Sequence, residues 1–243
     1  MSEEQYASEF ECDPYAAILG AYYGHEMGKA EREGRISVTA DIVERNLPVH
    51  TAWDLGMGDS TAIWFWQAAG TEIRVIDYYE SHGKALDHYV SVLGIRGYPY
   101  GRDFVPHDAK VKELSTGKTR VETLAELGRK PTLIAQHKIE DGINAVRKLL
   151  PRCWFDAKKC ETGIEALRQY RADYDEKQKV FKTKPRHDWT SHPADAFRYM
   201  AMAYPTVRQA EPEEKKTGVF ITLPELSYDE YDAFTKRQKE ERV

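Results

Sequence analysis

The pattern of apolar positions changes character at Val49. From there the chain reads VHTAWDLG, an apolar run closed by a glycine, and STAIWFWQAAG follows with hardly a polar position. A continuous apolar run of this kind marks a strand buried on both faces. TEIRVIDYYES then alternates and is rich in β-branched and aromatic residues, which predicts a third strand. Short glycine-containing connections join the three, so an antiparallel meander is expected. Further on, the pattern predicts a helix over 84–93, a short strand at Phe104-Val105 ended by Pro106, and a helix over 121–127. A buried strand is expected over 131–136, and i, i+4, i+7 apolar spacing predicts an amphipathic helix over 139–150. A charged helix over 161–175 and a last helix over 193–204, with proline in its first turn, complete the reading.

Strands that alternate with helices in this way predict a mixed α/β domain over 49–205. Residues 1–48 read as a helical or linker segment, with an apolar helical turn at Ala16 to Tyr23. Residues 206–243 read as a charged tail. With 41% hydrophobic and 31% charged residues, the composition excludes a wholly disordered chain. No apolar run approaches the ~18 residues that span a bilayer, and the first residues do not read as a signal peptide. A cytosolic protein without membrane contact is therefore expected. Cys12, Cys153 and Cys160 form no CxxC pair, which argues against a disulfide framework or a zinc ribbon.

The net charge of −5 excludes a protein that coats nucleic acid through bulk positive charge. It leaves room for one basic patch. The stretch 138–187 holds thirteen Lys and Arg against eight Asp and Glu, a local excess of five, although a solvated helical face explains it equally well.

Three aspartates stand out. Asp54 closes an apolar strand, Asp108 closes the run FVPHD, and Asp195 lies among Ala194, Phe197 and Met200 in HPADAFRYM. Taken singly, each has an ordinary structural reading, such as turn punctuation. A carboxylate among apolar neighbours is costly unless a cation or charge-assisted hydrogen bonds hold it. Brought to one point, the three would form an anionic pocket suited to Mg²⁺ or Mn²⁺. A pair of such ions ~3.5–4 Å apart promotes in-line phosphodiester displacement. His192, three residues before Asp195, is a candidate neighbour of that site or a plain helix-start residue. Other motifs fail. Gly117-Lys118-Thr119 ends like a phosphate-binding loop, but Lys112 stands where the earlier glycine belongs, so no ATPase motif is read. No GxSxG elbow occurs, and His25-Glu26 has no second histidine for a zinc-protease helix.

In combination, Trp53-Asp54-Leu55-Gly56, Asp59-Ser60-Thr61-Ala62, Pro106-His107-Asp108-Ala109 and Ser191-His192-Pro193-Ala194-Asp195-Ala196-Phe197-Arg198-Tyr199 resemble the nuclease domain of tailed-phage large terminase subunits. The stretch from Glu9-Phe10 to Tyr22-Tyr23 is similar to the segment leading into that domain. The resemblance spans roughly residues 6–205. It implies a ribonuclease H-like fold, with a meander and further parallel strands flanked by helices, and a metal-dependent endonuclease that cuts concatemeric double-stranded DNA. Its metal-binding acids would be Asp54, Asp108 and Asp195, with Asp59 and His192 as accessories; Asp77 and Glu80 are further acids in reach. Lys110, Lys118, Arg120 and Arg186 become the expected DNA contacts. A terminase ATPase domain, the small terminase subunit and the portal are the partners implied, in the host-cell cytoplasm. Two other readings stay open: a resolvase or another nucleic-acid nuclease of the same fold, and a non-cleaving module that docks the portal or the small subunit.

Overall fold

The computed structural model describes residues 18–38, 42–56, 60–113, 116–175 and 179–210. Glu9, Phe10, Cys12, Asp59 and the tail beyond 210 lie outside the described residues.

The expected meander is present. Strands β1 (Ile36–Ser37), β2 (Val49–Leu55), β3 (Ser60–Ala69), β4 (Glu72–His82), β5 (Tyr100–Val105), β6 (Pro131–Leu133) and β7 (Cys153–Asp156) form one sheet in the order β1-β7-β4-β3-β2-β5-β6. β3 is antiparallel to β2 and β4, whereas β5, β6, β7 and β1 are added in parallel. Six of the seven strands thus run one way, and their carboxyl ends share one edge. In open α/β sheets this edge is the usual place for a site.

β3 explains why this sequence builds a covered sheet. Its apolar run is buried on both faces, as the lack of alternation predicts. Ala62, Trp64 and Trp66 face one helical layer, while Ile63 and Phe65 face the other with Trp53, Tyr89 and Leu93. The first layer consists of α1 (Gly24–Arg32), α4 (Ile139–Leu149), α5 (Glu161–Gln169) and α6 (Ser191–Ala210). The second holds α2 (Leu86–Arg96) and α3 (Arg120–Glu126), the latter opened by a Thr119/Glu122 capping box. Trp64 is the keystone of the first layer: its ring packs on Tyr78, Phe155 and Phe197, and its Nε1 donates to the Pro193 carbonyl at 2.8 Å. Gly163 is required here, because a side chain at that position of α5 would collide with the Trp64 ring.

Several elements differ from the sequence expectation. The helix expected over 161–175 stops at Gln169, and Ala172–Asp175 forms β8, antiparallel to β9 (Val180–Pro185). The cross-strand edge-to-face contact of Tyr174 with Phe181, with ring centroids 5.0 Å apart, favours this hairpin over a longer helix. β7 has no counterpart in the expected elements, since four residues are too few to display a period. Of the strand expected over 131–136, only Pro131–Leu133 pairs, at the sheet edge where a proline is tolerated. Upstream, the helix starts at Gly24, after the apolar stretch instead of within it. Ala21 bridges to Arg171, Tyr23 stacks on Tyr170, and the Tyr22 ring packs tilted against it. The sheet also takes β1 from before Val49, paired with β7.

Candidate functional site

Two elements meet at the carboxyl edge of the sheet. β2, flanked by β3 and β5, carries Asp54 one residue before its end. The first turns of α6 come to the same place, fixed from below by the Trp64 bond to Pro193. The start of α6 is held by Asp188, whose Oδ1 accepts from the Thr190 backbone N–H (3.0 Å) and hydroxyl (2.6 Å). Pro193 sits in the first turn, where a missing N–H costs no helical bond.

This geometry joins residues 138 positions apart: His192 Nδ1 and Asp54 Oδ2 are 2.8 Å apart. One turn on, Asp195 Oδ1 accepts from the Arg198 guanidinium at 2.8 Å. Burial pushes the Asp195 carboxyl up to about 6; Arg198 opposes this, and the charge of Asp54 adds to it. Asp54 and Asp195 therefore repel each other across a partly dry pocket. The Tyr199 hydroxyl is pushed up by burial and then by the charges of Asp54 and Asp195, with a smaller push from Asp108. All three expected acids thus act on one side chain.

They are not equally placed. Asp54 and Asp195 are brought together, with side chains 16% and 30% exposed. Asp108 is exposed in the 3-10 turn His107–Lys110, just beyond the end of β5, the parallel neighbour of β2. Among the described residues no three His, Cys, Asp or Glu side chains are gathered into a ready metal cage. The donor chemistry nevertheless suits a hard divalent ion. Two like-charged carboxylates, tempered by His192 and Arg198 and one of them raised toward neutrality, gain most from a cation between them.

The remaining expected site residues divide sharply. Arg120 is not a surface cation. It is 9% exposed, and its guanidinium donates to the Leu55 carbonyl (3.0 Å) and to Glu113 (3.2 Å), so it ties α3 to the end of β2. Lys118 is exposed and paired with Glu126 at 2.7 Å. Arg186 is half exposed beside Asp188 at 3.5 Å, and Lys110 is exposed in the same turn as Asp108. Asp77 lies on the other face of the sheet, opposite Phe65, and is paired with Arg96 at 2.5 Å. Glu80 is on the site's face: Asp54 lies opposite Ala62, and Ala62 opposite Glu80. The residue with no expected role is Arg198, buried beneath Asp195 in a space kept open by Gly142, where a side chain would collide with it. The i, i+3 Asp-Arg spacing was its one visible signal.

Comparison with known proteins gives a consistent fold. No protein family and no curated protein matches the chain in sequence. Among solved structures, the P22 large terminase nuclease domain superposes with a TM-score of 0.52 at 17% identity, covering 67% of this chain and 84% of that one. A large terminase from a thermophilic bacteriophage superposes with a TM-score of 0.51 at 20% identity, again over 67% of this chain. The match covers 41% of the length of that larger protein. With a seven-stranded mixed sheet flanked by helices and the acids at its carboxyl edge, the chain has the ribonuclease H-like fold of large terminase nuclease domains.

Proposed function

We propose that the chain is the DNA-cutting part of a viral packaging terminase: a metal-dependent endonuclease acting on concatemeric double-stranded DNA. The observation that carries this reading is the meeting of Asp54 with His192 and Asp195 at the carboxyl edge of a terminase-type fold. Asp54 and Asp195 would hold Mg²⁺ or Mn²⁺, with Asp108 as the third acid. A pair of such ions held there would polarise the attacking water and neutralise charge at the scissile phosphate.

The chain's own residues set the stage. His192 fixes the rotamer of Asp54, and Arg198 fixes that of Asp195. Trp64 locks the start of α6 onto the sheet, so the two acids keep their relative positions. Without a cation the acid pair repels a DNA phosphate, so cutting is strictly metal-dependent. In-line attack leaves 3′-hydroxyl and 5′-phosphate ends. Lys110, Lys118 and Arg186 are surface cations suited to the DNA backbone. The ATPase domain of a terminase, the small terminase subunit and the portal are the partners that go with this role, in the host-cell cytoplasm. No helix among the described residues is long and apolar enough to cross a membrane.

Plasmid cleavage tests the reading. The purified chain with Mn²⁺ or Mg²⁺ nicks and linearises supercoiled DNA, EDTA abolishes this, and Asp54→Ala or Asp195→Ala abolishes it with the circular dichroism spectrum unchanged. Cutting that survives both substitutions rejects this site.

A further inference from the structure

Over residues 191–200, helix α6 is buried except at His192, Asp195 and Tyr199. Spacing of i, i+3 and i+7 puts the three in one stripe along the helix. His192 meets Asp54, and the charge of Asp54 acts on Asp195, so this stripe is the face that α6 turns to the site. The acid pair and its supports do not employ Tyr199, the third member. Side chains of a helix lean toward its N-terminus, so the Tyr199 ring reaches back toward the turn that carries Asp195.

The ring is held from behind. His137, in the loop between β6 and α4, meets it edge-to-face with centroids 5.9 Å apart, and the Arg198 guanidinium lies 5.9 Å from its centroid. His137 Nδ1 is 3.1 Å from the Ala135 carbonyl, which fixes the imidazole. Gly142 clears the space, because a side chain there would run into His137 and Arg198 together. β6 is the neighbour of β5, and β5 ends just before the turn that carries Asp108. The phenol therefore lies one turn along from Asp195, toward the strand ends that present Asp108. In keeping with this place, the charges of Asp54, Asp195 and Asp108 all act on it.

Burial and these three charges hold the phenol protonated, so it is a hydrogen-bond donor and not an anionic ligand. Two basic side chains beside it are already engaged, His192 Nδ1 with Asp54 and Arg198 with Asp195. Ionised carboxylates offer a phosphodiester lone pairs and no donor. A neutral donor in their midst matches a non-bridging phosphate oxygen, where charge gathers as water attacks phosphorus and the 3′ oxygen leaves.

We propose that Tyr199 is a catalytic residue of the nuclease: its hydroxyl donates a hydrogen bond to a non-bridging oxygen of the phosphodiester cut at Asp54 and Asp195. His137 is the positioning residue that holds the ring. The inference rests on the DNA-cutting reading and deepens it with a donor that the three acids do not supply.

The test is Tyr199→Phe, which keeps the ring and removes the hydroxyl. Three quantities are compared with wild type: single-turnover cleavage of a saturating labelled duplex with Mn²⁺, binding of that duplex with Ca²⁺, and Mn²⁺ uptake followed by the electron paramagnetic resonance of the free ion. Cleavage falls by about a hundredfold, the loss that follows removal of one donor to developing charge. Duplex affinity and Mn²⁺ uptake stay within about twofold, because the contact strengthens in the transition state. The urea unfolding midpoint stays at the wild-type value. His137→Ala loosens the ring and lowers the same rate by about tenfold, again with Mn²⁺ uptake intact. A Tyr199→Phe protein that cuts at the wild-type rate overturns the inference and leaves the nuclease reading standing. So does one that loses Mn²⁺ uptake or stability along with cutting, since the hydroxyl then serves an acid or the fold. Wild-type protein that cuts neither plasmid nor duplex fails the nuclease reading, and the inference with it.

Discussion

The arginine–aspartate pair at Asp103 on the sheet and the one at Asp195 on the helix packed against it are built to opposite specifications. Asp103, on β5, is fully enclosed, and its oxygens accept four hydrogen bonds: from the Thr51 hydroxyl (2.6 Å), from Arg129 twice (2.6 and 3.1 Å) and from the Lys130 backbone (3.0 Å). Arg129 is itself stacked 4.4 Å over the Tyr100 ring. Asp195 has one arginine contact, keeps 30% of its side chain exposed and faces a second carboxylate, while Arg198 Nε has no hydrogen-bond partner. A satisfied acid is a structural part. An acid left with lone pairs and a like-charged neighbour is held ready for something that is not protein. The comparison separates the two classes by hydrogen-bond completeness, which burial alone does not.

The largest expected effect breaks the functional half of that comparison. Asp195→Asn lowers plasmid cleavage at least about a thousandfold, roughly 4 kcal/mol of barrier, and changes the urea unfolding free energy by under about 1 kcal/mol, since the amide oxygen still accepts from Arg198. Asp103→Asn does the reverse. It turns an amide N–H toward the donors of Arg129 and Lys130 and lowers the unfolding free energy by about 3 kcal/mol, while the remaining folded protein cuts normally.

His50 supplies a third closed group. Its imidazole is buried under Trp66, accepts from the Arg102 backbone at 3.1 Å, and has its pKa lowered to about 4, first by burial and then by the Arg102 charge. The unfolded chain takes up this proton near pH 6.5 and the folded one only near 4, so the stability held above pH 6.5 drains away as the pH falls through that window. Urea unfolding at pH 7 and pH 4.5 shows the loss, and His50→Gln removes about 2 kcal/mol of it. Smaller effects sort the basic residues. Arg120→Ala costs about 2 kcal/mol in the same assay, and Lys118→Ala, at an exposed pair, under about 0.5 kcal/mol.

How much of this was legible in the sequence follows the length and purity of each signal. β2, β3 and β4 announce themselves because a ten-residue apolar strand such as β3 and the alternating TEIRVIDYYES have no competing helical reading. The head of α6 was legible through SHPADAFRY, and with it Asp195 and His192. Four-residue β7 was not, because it has no period to display, and the β8–β9 hairpin was hidden by charges that a helix carries equally well. The burial of Arg120 was not legible, because nothing in its neighbours reveals that the Leu55 carbonyl awaits it across 65 positions. Arg198 and Glu80 are tertiary facts, one set by the space over Gly142 and the other by the register of three strands.

The most direct test of the central claim, that Asp54 and Asp195 jointly hold a divalent cation, is Mn²⁺ titration followed by the electron paramagnetic resonance of the free ion. Wild type and Asp103→Glu, which keeps the structural carboxylate, draw Mn²⁺ from the free pool, whereas Asp54→Asn and Asp195→Asn leave the free signal close to that of buffer. An Asp195→Asn protein that takes up Mn²⁺ as wild type does would contradict the account.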